Sequence, residues 1–201
     1  MTTENASESK SKARHVNDNP SLGDIFPDLD PEAPVISGVA HDRTESLVTV
    51  NGVPDEPGIA AKVFTELARA DINVDMIVQA ASSDGTADIS FTVPEAVIKA
   101  TSKVLAGKKD EFGYRSLDIN NNVGKVAVVG VGMKTHSGLA AKFFEALSNQ
   151  CINVLMISTS EIRIAALVPL EQLDDAVRAL HTAYGLDAVQ VEAVVYGGTG
   201  R

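Results

Sequence analysis

The chain has 201 residues, 44% of them hydrophobic and 4% aromatic with no Trp, enough for one large or two small domains with a core in each. Acidic residues number 27 against 17 basic, a formal charge of -10 with a pI near 4.8, which argues against nucleic acid and anionic membrane as partners because both need clustered Lys and Arg. A single cysteine, Cys151, excludes an internal disulfide, and no apolar run approaches the roughly 20 residues that cross a bilayer, so the chain reads as cytoplasmic.

Residues 1–33 are polar and broken by Pro20, Pro27 and Pro31. They bury too little surface to offset the entropy of ordering and read as a disordered tail. Leu22, Ile25, Phe26 and Leu29 form a short apolar cluster within it, read as part of the solvated tail. Leu47 to Val53 is rich in β-branched residues and reads as a strand. Pro54-Asp55-Glu56-Pro57-Gly58 is a turn leading into a helix whose apolar face is Ile59, Val63, Phe64 and Leu67. Asn73 to Ala81 and Thr86 to Val93 read as strands joined by the Ser82–Gly85 hairpin turn. A second helix runs from Pro94 to about Leu105, and a short strand is expected near Tyr114 to Ile119.

The same order then returns. Gly58-Ile59-Ala60-Ala61-Lys62-Val63-Phe64 reappears as Gly138-Leu139-Ala140-Ala141-Lys142-Phe143-Phe144, and Ile72-Asn73-Val74 as Ile152-Asn153-Val154, both at one offset (138 − 58 = 80; 153 − 73 = 80). Strands are expected at Lys125–Val131, Asn153–Ser158, Ile162–Val168 and Asp187–Tyr196, with helices at His136–Asn149 and Leu170–Tyr184. Two β-α-β-β-α-β units follow, giving an α+β fold of two tandem ferredoxin-like domains at 34–122 and 123–201.

Conventional active-site patterns are missing. His15, His41, His136 and His181 stand apart without metal-ligand spacing, no serine sits in a nucleophile elbow, and no glycine-rich phosphate loop occurs. Gly130-Val131-Gly132 followed by Gly138 has the wrong spacing for a dinucleotide fingerprint. No catalytic residue, metal or cofactor is therefore expected. Cys151 reads as a small buried apolar residue at a helix end. What recurs is the loop before the first helix of each unit. A helix N-terminus offers unpaired N–H groups and a partial positive charge that favour a carboxylate. Asp55 could accept from an ammonium group, and Asn73 and Asn153 could hydrogen-bond an amino acid. The same residues have a plainer reading, in which Asp55 caps the helix, glycine makes the turn and asparagine ends a helix.

The run Val48 to Gly58 with Asp71 to Gln79 resembles the first ACT domain of aspartate kinase. Gly130 to Gly138 and Met156-Ile157-Ser158-Thr159-Ser160-Glu161-Ile162-Arg163-Ile164 resemble its second. The likeness runs from about Val35 to Arg201. It implies tandem ACT domains without the kinase domain, as in the separate regulatory (β) subunit of aspartate kinases. Such a subunit would be a homodimer binding threonine, often with lysine in concert, and would regulate a catalytic aspartate kinase subunit by feedback inhibition. The resemblance places the effector against Asp55, Pro57, Gly58, Ile59, Ala60, Asn73, Val74 and Gln79, completed by Asn153, Val154 and Ile157 of the partner. The family's polar groups are missing at Ala80, Leu155 and Ala165, which implies a second repeat that binds nothing or an altered effector response. The alternative is a stand-alone ACT amino-acid sensor that regulates another enzyme.

Overall fold

The computed structural model describes residues 35–131, 133, 136 and 138–188; the tail and most of the expected final strand lie outside them. Strand β1 (Val35–Asp42) opens the fold, and β2 (Glu45–Pro54), helix α1 (Ile59–Arg69), β3 (Ile77–Ala81), β4 (Thr86–Pro94), α2 (Ile98–Gly107), the short α3 (Lys109–Phe112) and β5 (Ser116–Asn120) follow. The second repeat comprises β6 (Val123–Val131), α4 (Leu139–Asn149), β7 (Met156–Thr159), β8 (Arg163–Pro169) and α5 (Leu173–Ala183). A single 3-10 turn precedes each of α2 and α5, at Glu95–Val97 and Leu170–Gln172.

The strands form two four-stranded antiparallel sheets, ordered β3-β4-β2-β5 and β1-β6-β8-β7. Alternation sets the faces. Val48 and Val50 on β2, with Ile89, Phe91 and Val93 on β4, meet Val63 and Leu67 of α1 and Leu105 of α2 in the first core. Val126, Val128, Ile164, Ala166 and Val168 meet Phe143, Leu147, Leu173, Ala176 and Leu180 in the second. Phe64 packs edge-on against Phe91, with ring centroids 5.5 Å apart.

The slot that β5 fills in the first sheet is filled in the second by β1, which pairs antiparallel with β6 from Val35↔Val131 to Asp42↔Lys125. The expected unit 34–122 thus gives up residues 35–42 to the other sheet. The first lobe is an insertion between β1 and β6. The physical reason is visible in Val39, which is buried in the second core with Ile36 packed against it. Asp187, where the sequence suggested a closing strand, instead lies in a 3-10 turn, Leu186–Ala188; the remainder of that strand lies outside the described residues.

Two residues, Arg43 and Thr44, separate β1 from β2, and Asn121 and Asn122 separate β5 from β6. These short connections hold the lobes together, and a third apolar cluster fills the contact. It contains Met76, Ala127, Met156, Ala165 and Leu167, with Leu47 against it. Apart from Met76, which precedes β3, these side chains come from the sheet faces turned away from the helices.

Candidate functional site

The loop from β2 to α1 is shaped by glycine and by the neighbouring hairpin. Gly58 is the residue before the helix, at φ 97, and no side chain caps the helix there. Asp55 therefore does not cap it. Instead the Asp55 amide donates to the Gly85 carbonyl (3.0 Å), tying the loop to the β3–β4 hairpin tip. That tip is itself held: Arg115 donates to Asp84 Oδ2 (2.6 Å), and Thr86 Oγ1 donates to Asp84 Oδ1 (2.6 Å). The Arg115 and Thr86 hydrogen bonds hold the Asp84 carboxyl down to about 2. A bulge in β2 between Val50 and Val53 contains Gly52 at φ 66. Its amide donates to Asp88 Oδ1 (2.8 Å), and a Cβ here would lie 2.7 Å from Arg115 Cδ, so the Arg115 stem can cross only a glycine.

The counterpart before α4 is Gly138, at φ 99, again without a side-chain cap. A Cβ built on either glycine meets nothing within 4 Å, so both glycines border open space. Gly138 borders an open cavity of about 450 Å³ with Met133, His136, Ala140 and Glu161.

Asp55, Pro57 and Gly58 are exposed, Ile59 is buried, and Ala60 packs against the first core. Gln79 is exposed on β3, opposite Ile89. Asn73 is exposed and Val74 packs on the first core, but they sit at the far end of the lobe. Asp75 donates its amide to the Thr92 carbonyl (3.2 Å) and Thr92 donates back to Met76 (3.0 Å). Thr92 stands opposite Leu47, seven residues (54 − 47 = 7) before Pro54 on β2. At about 3.3 Å per residue that is about 20 Å, several times the span of a free amino acid. One ligand cannot touch Asp55 and Asn73 of the same chain, contrary to the single effector site that the resemblance implied.

In the second lobe, Asn153 and Val154 border an open cavity of about 380 Å³ with Phe144, Ser148, Cys151 and Ile152. Ile157 on β7 is 45% exposed, as is its counterpart Ile77 on β3 at 46%. β3 and β7 are sheet edges, and every residue of β3 is exposed. Such apolar edges present unpaired backbone to another strand. Cys151 is exposed, not buried. Among the described residues no cluster of His, Cys, Asp or Glu is placed to hold a metal ion, and no helix is long and apolar enough to cross a membrane.

The reading from sequence missed Arg115, which braces the loop through the hairpin, and Lys125, which joins the lobes. A signal for Lys125 was present: it stands at the repeat position of Glu45 (125 − 45 = 80) with opposite charge, and the two side chains meet at 2.8 Å.

The ACT domain family matches residues 48–108 and 126–184. Aspartokinase from Mycobacterium tuberculosis is 47% identical over 176 residues, covering 87% of this chain and 42% of that protein. The chain thus spans about two fifths of the length of the aspartokinases it matches. The regulatory subunit of aspartate kinase from Thermus thermophilus, in its ligand-free form, superposes with a TM-score of 0.71 at 36% identity. The match covers 75% of this chain and 99% of that one. A chain from a crystal structure of aspartokinase alpha and beta subunits superposes with a TM-score of 0.70 at 42% identity, with the same coverage. With both repeats matched and the sheets built as described, the chain belongs to the ACT domain family, as a tandem regulatory ACT region of the aspartate kinase type.

Proposed function

We propose that this chain is a non-catalytic regulatory subunit that senses threonine, with lysine acting in concert, and restrains a catalytic aspartate kinase subunit. Its modules are 34–122 and 123–201, with β1 lent from the first to the second. The observation that carries the reading is the pair of exposed edges, β3 and β7, whose loops and asparagines lie at opposite ends. Antiparallel docking of β3 on β7 of a second copy sets the loop of one lobe beside the asparagine of the other. The first seam then comprises Asp55, Pro57, Gly58, Ile59, Ala60 and Gln79, with Asn153, Val154 and Ile157 of the second copy. Asn73 and Val74 fall at the twin seam, facing Gly138 of that copy.

Chemistry favours an amino acid in the first seam. The uncapped N-terminus of α1 suits a carboxylate and Asp55 suits an ammonium. The repeat position of Asp55 is Thr135 (135 − 55 = 80), which lacks the acid, so the effector occupies the first seam. A ligand binding with micromolar to millimolar affinity contributes about 4–8 kcal/mol, of which the part that differs between two kinase states, about 1–3 kcal/mol, regulates.

Calorimetry with threonine tests this. Asp55→Ala and Asn153→Ala are expected to weaken binding at least tenfold, whereas Asn73→Ala leaves it within about twofold. Equal loss in all three variants refutes the two-seam arrangement, and no binding by the wild-type chain refutes the effector. Co-purification with a catalytic aspartate kinase chain supports the subunit reading; its failure favours a stand-alone sensor.

A further inference from the structure

The segment between α1 and β3 is gripped by charges from the other lobe. Lys125 on β6 donates to Asp75 Oδ2 (2.6 Å) and to Glu45 Oε1 (2.8 Å), with Asp42 at 4.0 Å. Arg163 on β8 reaches Asp75 Oδ1 at 3.5 Å. The side chain of Lys125 is only 14% exposed and that of Glu45 only 8%. Glu45 Oε2 is buried with no hydrogen-bond partner among the described residues, so Lys125 is the cation that offsets this carboxylate. Burial works against the charge on Lys125, but hydrogen bonds to Asp75 and Glu45 outweigh it and leave the ammonium more firmly protonated than usual.

The repeat makes the arrangement one-sided. The position matching Asp75 is Leu155 (155 − 75 = 80), exposed and without charge. Its amide donates to the Leu167 carbonyl (2.8 Å), as that of Asp75 does to Thr92. Both lead-ins therefore share the backbone bond and a buried methionine, Met76 or Met156. Only the first carries an ionic grip across the lobe boundary.

We propose that Lys125, assisted by Arg163, is a positioning residue for the docking edge: from the second lobe it fixes residues 73–76 and so sets where β3 begins. Asn73 and Val74 lie immediately before the gripped Asp75, and the exposed Ile77 lies two residues after it. The geometry of the first lobe's edge thus depends on the second lobe staying in place, and a shift between lobes alters the edge before any ligand arrives. This deepens the seam reading for its consequence, but the grip itself is independent of any effector.

The test is amide hydrogen exchange of the ligand-free, full-length chain, comparing wild type with Asp75→Asn, Lys125→Met and the double variant. Exchange of the Asp75 and Met76 amides is expected to accelerate at least tenfold in each single variant, with amides in the middle of α1 and α5 unchanged within about twofold. The double variant should match the faster single variant, since the two residues act through one contact. Should Lys125→Met fail to fold, Asp75→Asn decides alone. Unchanged exchange at Asp75 and Met76, or equal acceleration across α1 and α5, overturns the proposal. Threonine titration of the same samples reports separately on the effector, so failure to bind there bears on the seam reading and not on the grip.

Discussion

Two helices of this chain end in the same motif on unequal residues, and that inequality predicts a stability difference. After α1, Ile72 donates its amide to the Leu67 carbonyl (3.0 Å) and Asp71 to Ala68 (3.0 Å); after α4, Ile152 donates to Leu147 (3.0 Å) and Cys151 to Ser148 (2.9 Å). This is the Schellman ending, which puts one residue in the left-handed conformation, usually glycine. Here the positions are held by Asp71 at φ 55 and Cys151 at φ 54. A left-handed residue with a Cβ costs about 1–2 kcal/mol, less for Asp because its short side chain bonds locally. Glycine removes that cost but adds about 0.5–1 kcal/mol through greater freedom in the unfolded chain.

Both positions are exposed, so little packing is lost. Cys151→Gly should therefore stabilise by about 0.5–1 kcal/mol, raising Tm by about 1–4 °C for a chain of this size, and Asp71→Gly by a few tenths at most. Thermal and urea unfolding under reducing conditions measure both. Cys151→Ala is the control, because it keeps the Cβ and hence the strain. If Cys151→Ala stabilises as much as Cys151→Gly, the gain comes from losing the thiol and the backbone argument is wrong. Destabilisation by Cys151→Gly refutes it equally.

Two other outcomes follow from packing and burial. Gly124 on β6 leaves no room for a side chain: a Cβ would lie 2.7 Å from Leu173 Cδ2 and 3.1 Å from both its Cβ and Cδ1. Leu173 is fully buried, so Gly124→Ala should cost about 1–3 kcal/mol in urea unfolding. The Tyr184 hydroxyl donates to the Leu139 carbonyl (2.7 Å), and burial pushes its pKa from 10.0 up to about 12. The folded state holds this proton more tightly than the unfolded chain. Its contribution is therefore complete below pH 10 and is lost as pH rises towards 12. Tyr184→Phe should cost about 1 kcal/mol at neutral pH and flatten the alkaline fall in stability, as read from unfolding midpoints between pH 9 and 12.

Duplication, helix faces and strand alternation were legible in the chain because they are local periodicities. Ile59, Val63 and Leu67 mark one face of α1 wherever it packs, and Leu47 to Val53 reads as a strand from its β-branched residues. Boundaries were less legible. The expected strand from Asn73 begins only at Ile77; just before it, Asp75 and Met76 are held by Thr92, and Asp75 by Lys125 as well. Cys151 gave the wrong impression because a cysteine beside a helix resembles a core residue, and only the backbone bonds of α4 show it turned into solvent.

The sequence by itself determined two α+β repeats, their glycine-opened helices and the absence of a familiar catalytic pattern, since each depends on residues near one another along the chain. Tertiary structure decided which sheet takes β1, the distance between Asp55 and Asn73, and the meeting of Lys125 with Glu45 and Asp75. Those outcomes turn on which apolar face is covered and which charge is desolvated. Such energies arise only between segments brought together from distant parts of the chain, and strand periodicity is the same in either sheet.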